Sequence, residues 1–236
     1  MKIFRISLIV LLFTNACSES EESVSPLVPP KIDKILYNGQ LMADFTYEGN
    51  RLLKIENYNS TDGTIYETRE LVYDGDLIVG LNEYYPLDRI YYHVFSYNEK
   101  GQFTESYETR NFQDYTSTSE FLYDNEGNLI ESWKLVAGFR NEWLKYNYEG
   151  DKLVSIFNNN SETTFELEVD NKLNPFFQFP RPVYDNLISS FSIYPIRNNV
   201  ISTTFNDFEI TYNEDGYPLT VYVDFEELLV EFIYED

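Results

Sequence analysis

The chain has 236 residues, which is enough for one large all-β domain or two small domains. Its 17 basic and 40 acidic side chains give a formal net charge of −23, so phosphate backbones repel it and nucleic acid is not expected as a partner. Aromatic residues make up 17% of the chain, a composition that favours strands. We expect the acidic surface to serve solubility rather than cation binding.

The first residues have the pattern of an export signal. Lys2 and Arg5 precede an apolar run at 6–13, ISLIVLLF, which is too short to span a bilayer as a helix and is typical of a signal peptide. Cys17, the only cysteine, follows Ala16 in an arrangement that resembles a bacterial lipoprotein signal. The resemblance implies a signal peptide over 1–16, acylation (palmitate) of Cys17 and membrane contact through that lipid. A plain secretory signal with an incidental cysteine is the alternative.

The segment after the cysteine has two parts. Residues 18–22, SESEE, look like the acidic stretch that directs lipoproteins of the Bacteroidota to the outer face of the outer membrane, which implies a cell-surface location. A solvated spacer is the alternative. Residues 23–30, SVSPLVPP, carry three prolines and predict an extended, semi-rigid chain. We therefore assign 17–30 to a tether and 31–236 to the folded domain.

One short motif recurs along the folded domain. Each copy holds a tyrosine, acidic or amide residues, a glycine and a following apolar residue. The copies are FTYEGNRL at 45–52, LVYDGDLI at 71–78, FSYNEKGQF at 95–103, FLYDNEGNL at 121–129, YNYEGDKL at 146–153 and ITYNEDGYPL at 210–219. The tyrosines of the first five copies are 24 to 26 residues apart, the period of a repeated supersecondary unit.

Backbone geometry explains the glycine of each copy, because hairpin turns need a residue at positive φ. We predict type I′ turns in the three short copies and type I turns closed by a left-handed glycine in the three long copies. The predicted turn glycines are Gly49, Gly75, Gly101, Gly127, Gly150 and Gly216. Acidic residues such as those of DNEG at 124–127 are then turn residues rather than an active or ion-binding loop.

The repeat predicts an all-β fold, a long antiparallel meander of hairpins with a period of about 25 residues. All glycine turns would lie on one edge and all variable loops on the other. A strongly twisted or rolled sheet is favoured, and a closed β-barrel is the alternative. Residues 174–206 interrupt the repeat with four prolines and predict an irregular insertion that crosses the sheet, caps an edge or forms a short helix near 183–190. Its aromatic side chains could plug one open face or end.

The repeated tyrosine, acidic or amide residue, glycine and apolar residue resemble the YD (RHS-type) β-hairpin repeats of bacterial cell-surface proteins. With the lipoprotein signal, Asn174-Pro175-Phe176 and Asn198-Asn199-Val200, the chain resembles more narrowly a group of Bacteroidota lipoproteins whose domain has no known function. The resemblance implies a fold and a location, and it brings no catalytic residues.

The sequence offers little for catalysis. His93 is the only histidine and Cys17 is assigned to the lipid, so neither a nucleophile–histidine arrangement nor a metal site built on His or Cys is expected. No cofactor is predicted. A pair of carboxylates acting as a glycosidase is the weakest of the functional alternatives.

Two other functions are considered. The first is a lipid-anchored, non-enzymatic binding module of the cell envelope for a glycan or protein ligand. Aromatic residues near the loop edge could stack on sugar rings or hold a protein, and these are Tyr85, Trp133, Phe139 and Trp143. The alternative is a structural or assembly accessory of the outer membrane that pairs with another chain through the edge of its C-terminal strand, LLVEFIYED.

Overall fold

The computed structural model describes residues 30–177, 179–184 and 198–235. The signal peptide, Cys17 and the acidic stretch lie outside the described residues. The strands are β1 (Ile32–Tyr37), β2 (Gln40–Glu48), β3 (Arg51–Tyr58), β4 (Ile65–Asp74), β5 (Leu77–Tyr85), β6 (Arg89–Tyr97), β7 (Phe103–Arg110), β8 (Thr116–Tyr123), β9 (Leu129–Val136), β10 (Phe139–Glu149), β11 (Lys152–Asn158), β12 (Thr163–Leu173), β13 (Asn198–Thr203), β14 (Phe208–Tyr212), β15 (Pro218–Val223) and β16 (Leu228–Tyr234). A helix, α1 (Arg181–Tyr184), and a 3-10 turn (Asp224–Glu226) complete the elements.

The sixteen strands form one antiparallel sheet. Neighbours in sequence pair from β1 to β13 and from β14 to β16, and the sheet continues because β16 pairs with β1. The two end strands, β13 and β14, meet through a bridge between Ser202 and Asp207. The predicted all-β meander is confirmed, and its closure is that of the alternative, a nearly closed barrel.

Two sequence predictions about strands are wrong. The C-terminal strand β16 pairs with β15 on one side and β1 on the other, so it presents no free edge to another chain. The strand β13 lies inside the segment 174–206 that was predicted to be irregular. Its residues follow the last proline of that segment, and they can therefore donate backbone hydrogen bonds to β12.

The six glycine turns lie at one end of the barrel, here called the turn end, and the variable connections lie at the other, the loop end. The long turns have the predicted chemistry: the Asp124 carboxylate accepts hydrogen bonds from the backbone N–H groups of Glu126 (2.9 Å) and Asn128 (2.8 Å). The short turns differ from the prediction. Their glycines alone have positive φ, as at Gly49 (58°), which is the pattern of type II′. A type I′ pattern occurs instead at the loop end, at Asn38-Gly39.

The repeated tyrosine links adjacent hairpins. In four copies the hydroxyl donates to the backbone carbonyl of the residue paired with the tyrosine one hairpin earlier, and Tyr123, for example, donates to Phe103 (2.8 Å), which pairs with Tyr97. Tyr234 of β16 follows the same rule, whereas Tyr212 donates to the Asp170 carboxylate. The other donations of this kind are Tyr73 to Leu52, Tyr97 to Ile78, Tyr148 to Leu129 and Tyr234 to Pro218. We call this set the tyrosine ladder, and it fixes the turn end of the barrel.

Alternate side chains of each strand face the interior, where the buried apolar residues form a single cluster. Carboxylates stand between the buried positions on nine of the sixteen strands and face outward. They are Asp44, Glu56, Glu70, Glu105, Glu120, Glu131, Glu166, Glu168, Glu209 and Glu231. The outer face is therefore a surface suited to water. No helix within the described ranges is long and apolar enough to cross a bilayer.

The proline-rich segment enters the barrel from the turn end. Phe176, Val183 and Tyr184 are buried in the core cluster, and the Phe176 ring lies 6.3 Å from that of Phe232. Inside the barrel, the Arg69 guanidinium donates to the Val183 carbonyl (2.9 Å). Residues 174–184 thus act as an internal plug. The helix α1 begins two residues before the predicted one, and residues 185–190 of that prediction lie outside the described residues.

Candidate ligand-binding site

A cavity of about 780 Å³ opens at the turn end of the barrel. Its walls come from the β6–β7, β8–β9 and β10–β11 hairpins, and the plug closes one side. The aromatic residues that line it are Tyr97, Phe103, Phe121, Tyr123, Tyr148, Phe177 and Phe179. We call this cavity the turn-end cleft. Its size and its largely apolar walls, with seven aromatic side chains, are those of a small-molecule site.

The tyrosine ladder holds the rings of the cleft in place. Tyr97, Tyr123 and Tyr148 each donate their hydroxyl to a backbone carbonyl, at 2.6, 2.8 and 3.0 Å. Burial raises the pKa of Tyr97 and of Tyr123 to about 12, so both rings are neutral at physiological pH. Phe103 packs between Phe95 and Phe121, with ring centroids 5.3 and 4.8 Å away. The cleft therefore offers fixed ring surfaces, and little conformational entropy is lost when a ligand contacts them.

Polar groups stand at the rim of the cleft. Glu126 and Asp151 are exposed turn residues, and the carboxylate of neither has a hydrogen-bond partner among the described residues. The amide groups of three lining residues are partly engaged: Gln102 donates to Gly127, Asn128 to the Asp124 carboxylate, and Asn198 to Lys172. The side chains available to a ligand at the rim are thus mainly hydrogen-bond acceptors.

A buried charged cluster lies deeper in the barrel, toward the loop end. Arg69, only 1% exposed, contacts Glu67 (3.1 Å) and Glu83 (3.7 Å). The Glu67 carboxylate also accepts from Asn57 (2.6 Å) and from the Tyr85 hydroxyl. Desolvation lowers the Arg69 pKa, but Coulomb attraction to the two carboxylates and the hydrogen bond that Arg69 donates to Glu67 outweigh it and raise the pKa. These contacts hold the guanidinium that binds the plug, so the cluster positions the wall of the cleft.

Among the aromatic residues predicted as ligand contacts, Tyr85 lies apart from Trp133, Trp143 and Phe139. Tyr85 faces the interior, where its hydroxyl donates to Glu67. Trp133 and Trp143 are paired neighbours on the outer face of β9 and β10, and Phe139, 79% exposed, stands at the tip of the loop between them.

The two tryptophan rings are already engaged. The Arg140 guanidinium lies 5.5 Å from the Trp133 ring and 4.5 Å from the Trp143 ring, and the Lys145 ammonium lies 4.9 Å from the latter. The Trp143 indole N–H donates to Glu131. Cations thus lie over these rings, and a ligand would have to displace them.

The sequence analysis missed the turn-end cleft. Its walls come from the predicted hairpins, but the repeat pattern does not show that the tyrosine rings line a cavity, and the sequence predicts a plug only at one open face or end. One sequence pattern could have indicated the site. The tyrosine before each turn and the apolar residues beside the turns share the inward face, and the latter are Phe103, Phe121, Leu129 and Leu153. Within the described residues, no group of three or more His, Asp or Glu side chains could hold a metal ion.

Comparisons with known proteins give a likeness of fold. No protein-family model matches the chain, and no curated protein does. A porin-like protein from Bacteroides uniformis is similar in structure, with a TM-score of 0.55 and 14% identity over 88% of this chain and 99% of that chain. A porin-like protein from Bacteroides vulgatus shares 10% identity over 87% and 99%, with a TM-score of 0.31. The first likeness shows a shared fold alone, the second is too weak to support a conclusion, and the resemblance to YD repeats stays a prediction.

Proposed function

We propose that the protein is a lipid-anchored, non-enzymatic binding module of the outer membrane whose barrel stands in water and holds its ligand in the turn-end cleft. The single observation that carries the proposal is the cleft itself: fixed aromatic rings surround a cavity of about 780 Å³ whose rim carries hydrogen-bonding groups. Lipidation at Cys17 and the location at the cell surface rest on the sequence of the first thirty residues.

The distribution of charge supports a module in water rather than a pore. A membrane-spanning barrel has an apolar outer band about 25 Å tall and a polar lumen. In this chain the outer face carries carboxylates on nine strands, and the interior holds the apolar cluster and the plug. The porin-like name of the structural neighbour is therefore not extended to this protein. Carboxylates interrupt the exposed apolar residues of the outer face, such as Val94 and Leu122, and the interior is largely apolar apart from buried charges such as those of Arg69 and Glu67.

The tether joins the barrel at the end that holds the cleft. The strand β1 begins at the turn end, where Ile32 pairs with Tyr234 and Lys31 forms an ion pair with Glu235 (3.0 Å). An acylated Cys17 would place this end toward the membrane, separated from it by the prolines of residues 23–30. An extended tether of this length reaches roughly 40 Å, which leaves room for a ligand at the cleft.

Two exposed phenylalanines at opposite ends of the barrel provide a matched test. Phe177 lines the cleft and is 50% exposed, and Phe139 stands at the loop end at 79% exposure, so neither substitution by alanine empties the core. The protein to use is the mature chain with Cys17→Ser, which cannot be acylated. Binding to an oligosaccharide panel should be lost or weakened at least tenfold by Phe177→Ala and unchanged by Phe139→Ala. The reverse order of effects would contradict the proposal and favour the loop-end aromatics.

A second candidate function, an assembly accessory of the outer membrane, has one observation in its favour. Large apolar side chains are exposed on three separate loop-end tips: Leu87 at 83%, Phe139 at 79% and Phe205 at 68%. A protein partner that covered this end would explain them. Replacing all three by serine should then abolish co-purification of an envelope protein with the lipidated chain and leave oligosaccharide binding intact.

The glycosidase alternative finds less support. A general acid needs a carboxyl group with a raised pKa in the binding site. Desolvation raises the pKa of Asp44, but this residue lies on the outer face of β2 beside Lys34 and Glu56, outside the cleft.

A further inference from the structure

The chemistry of the turn-end cleft also limits the charge of its ligand. Among the described side chains that line it, Glu126 and Asp151 carry the carboxylates, and arginine and lysine do not occur. The lysines of the adjacent turn segments, Lys100 and Lys152, are not part of the lining. An anionic group that entered the cleft would therefore meet two carboxylates and no cation among the described lining residues.

The hydrogen-bonding groups left unpaired at the rim favour a ligand that carries hydrogen-bond donors. The tyrosine hydroxyls of the cleft already donate to backbone carbonyls, and the amides of Gln102, Asn128 and Asn198 each use one of their two N–H groups within the protein. The carboxylates of Glu126 and Asp151 accept from nothing in the described chain. A ligand matched to this rim brings hydroxyl groups, which can donate to the carboxylates and accept from the second N–H of an amide.

The burial of these groups favours hydroxyls over ammonium. Glu126 and Asp151 are both exposed turn residues at the rim, and the deeper walls consist of Phe103, Phe121 and the ladder tyrosines. A cation seated against those rings would lose its hydration without a buried carboxylate beside it. A pyranose ring presents an apolar C–H face to aromatic rings and places its hydroxyls at the edge, where the rim acceptors stand.

We infer that the turn-end cleft binds an uncharged glycan and rejects glycans that carry carboxylate or sulfate groups. The inference rests on the proposed binding function and adds the class of ligand to it. The long-range field acts in the same direction, because a chain of net charge −23 repels anionic polymers before they reach the rim.

The test uses the mature chain with Cys17→Ser and six named probes of six sugars each: cellohexaose, mannohexaose, xylohexaose, chitohexaose, cationic chitosan hexaose and anionic hexagalacturonate. We expect at least one uncharged probe to bind, and Phe177→Ala to remove that binding. A cleft-dependent signal from a charged probe alone would overturn the inference and leave the proposed function standing. If no probe gives a signal that Phe177→Ala removes, the proposed function and the inference both fail.

A second arm measures the charge preference itself. An uncharged hexose probe that binds is oxidised at C6 to its uronate form, and the two forms are compared at low salt. If xylohexaose is the probe that binds, its glucuronate-substituted form is used instead, because xylose has no C6. The unsubstituted cleft should prefer the uncharged form by about tenfold or more, since juxtaposed like charges cost several kcal/mol. In the Glu126→Gln, Asp151→Asn double variant this preference should fall at least threefold. An unchanged preference would show that the two carboxylates do not set it.

Discussion

Removing one hydroxyl from the tyrosine ladder should measurably loosen the barrel. In Tyr123→Phe the ring stays in place, and the hydrogen bond to the Phe103 carbonyl (2.8 Å) is lost. A neutral hydrogen bond contributes about 1 kcal/mol net, and the half-buried acceptor left behind adds a desolvation penalty. We expect a loss of about 1 to 2 kcal/mol in the free energy of unfolding, or roughly 2 to 4 °C in melting temperature for each kcal/mol.

The matched control is Tyr107→Phe. Tyr107 lies on the outer face of β7 at 41% exposure, and its hydroxyl has no hydrogen-bond partner among the described residues, so the change should stay within about 0.5 kcal/mol. Urea unfolding of the mature Cys17→Ser chain measures both variants.

The double variant Tyr73→Phe, Tyr123→Phe should lose the sum of the free energies that the two single variants lose, because the two sites are four strands apart, about 19 Å. Equal midpoints and slopes for Tyr123→Phe and Tyr107→Phe would refute the structural role of the ladder.

The ladder also predicts the alkaline limit of stability. The pKa of Tyr123 is raised by burial to about 12, above the ordinary value of 10.0 that it takes in the unfolded chain. A raised pKa means that the stabilising contribution is complete below pH 10 and is lost as the pH rises toward 12. Absorbance titration of phenolate should show a group of tyrosines that ionise only near or above pH 12. Ionisation of all tyrosines near pH 10 in the folded chain would contradict the buried ladder.

Three further variants test other parts of the fold. Arg69→Met leaves Glu67 and Glu83 buried without their cation and should cost about 3 to 5 kcal/mol by urea unfolding, and a loss below 1 kcal/mol would exclude the proposed positioning of the plug. Gly127→Ala places a Cβ at a φ of 95° and should cost about 1 to 2 kcal/mol. Hydrogen bonds to the Asp124 carboxylate outweigh its desolvation and lower its pKa, so its contribution is present above pH 4 and is lost on acidification. In Asp124→Asn that acid dependence should disappear.

The hairpins were predictable because their chemistry is local. The residues from Asp124 to Asn128 contain everything the turn needs: a carboxylate to accept two backbone N–H groups and a glycine at positive φ. The Asn38-Gly39 hairpin was equally predictable, since Asn-Gly is the strongest short-range signal of a hairpin. It lies outside the 25-residue repeat, so the repeat does not predict it. Local signals therefore account for the meander and its two ends.

The closure of the barrel and the turn-end cleft depend on contacts between residues far apart in the sequence, which no local sequence pattern predicts. The strands β1 and β16 pair Ile35 with Phe232 across almost the whole length of the chain. The plug is held by Arg69 and Val183, which are 114 residues apart. The aromatic residues chosen from the sequence, such as Trp143, were selected for their ring and their loop-end position, and a sequence does not show that Arg140 and Lys145 already lie over that ring.

The most direct test of the central claim is a crystal structure of the mature Cys17→Ser chain with the uncharged oligosaccharide that binds best. The account predicts sugar density in the turn-end cleft, with a pyranose face against Tyr123 or Tyr148 and hydroxyls donating to Glu126 or Asp151. Density over Trp133 and Trp143 on the outer face, with an empty cleft, would contradict it.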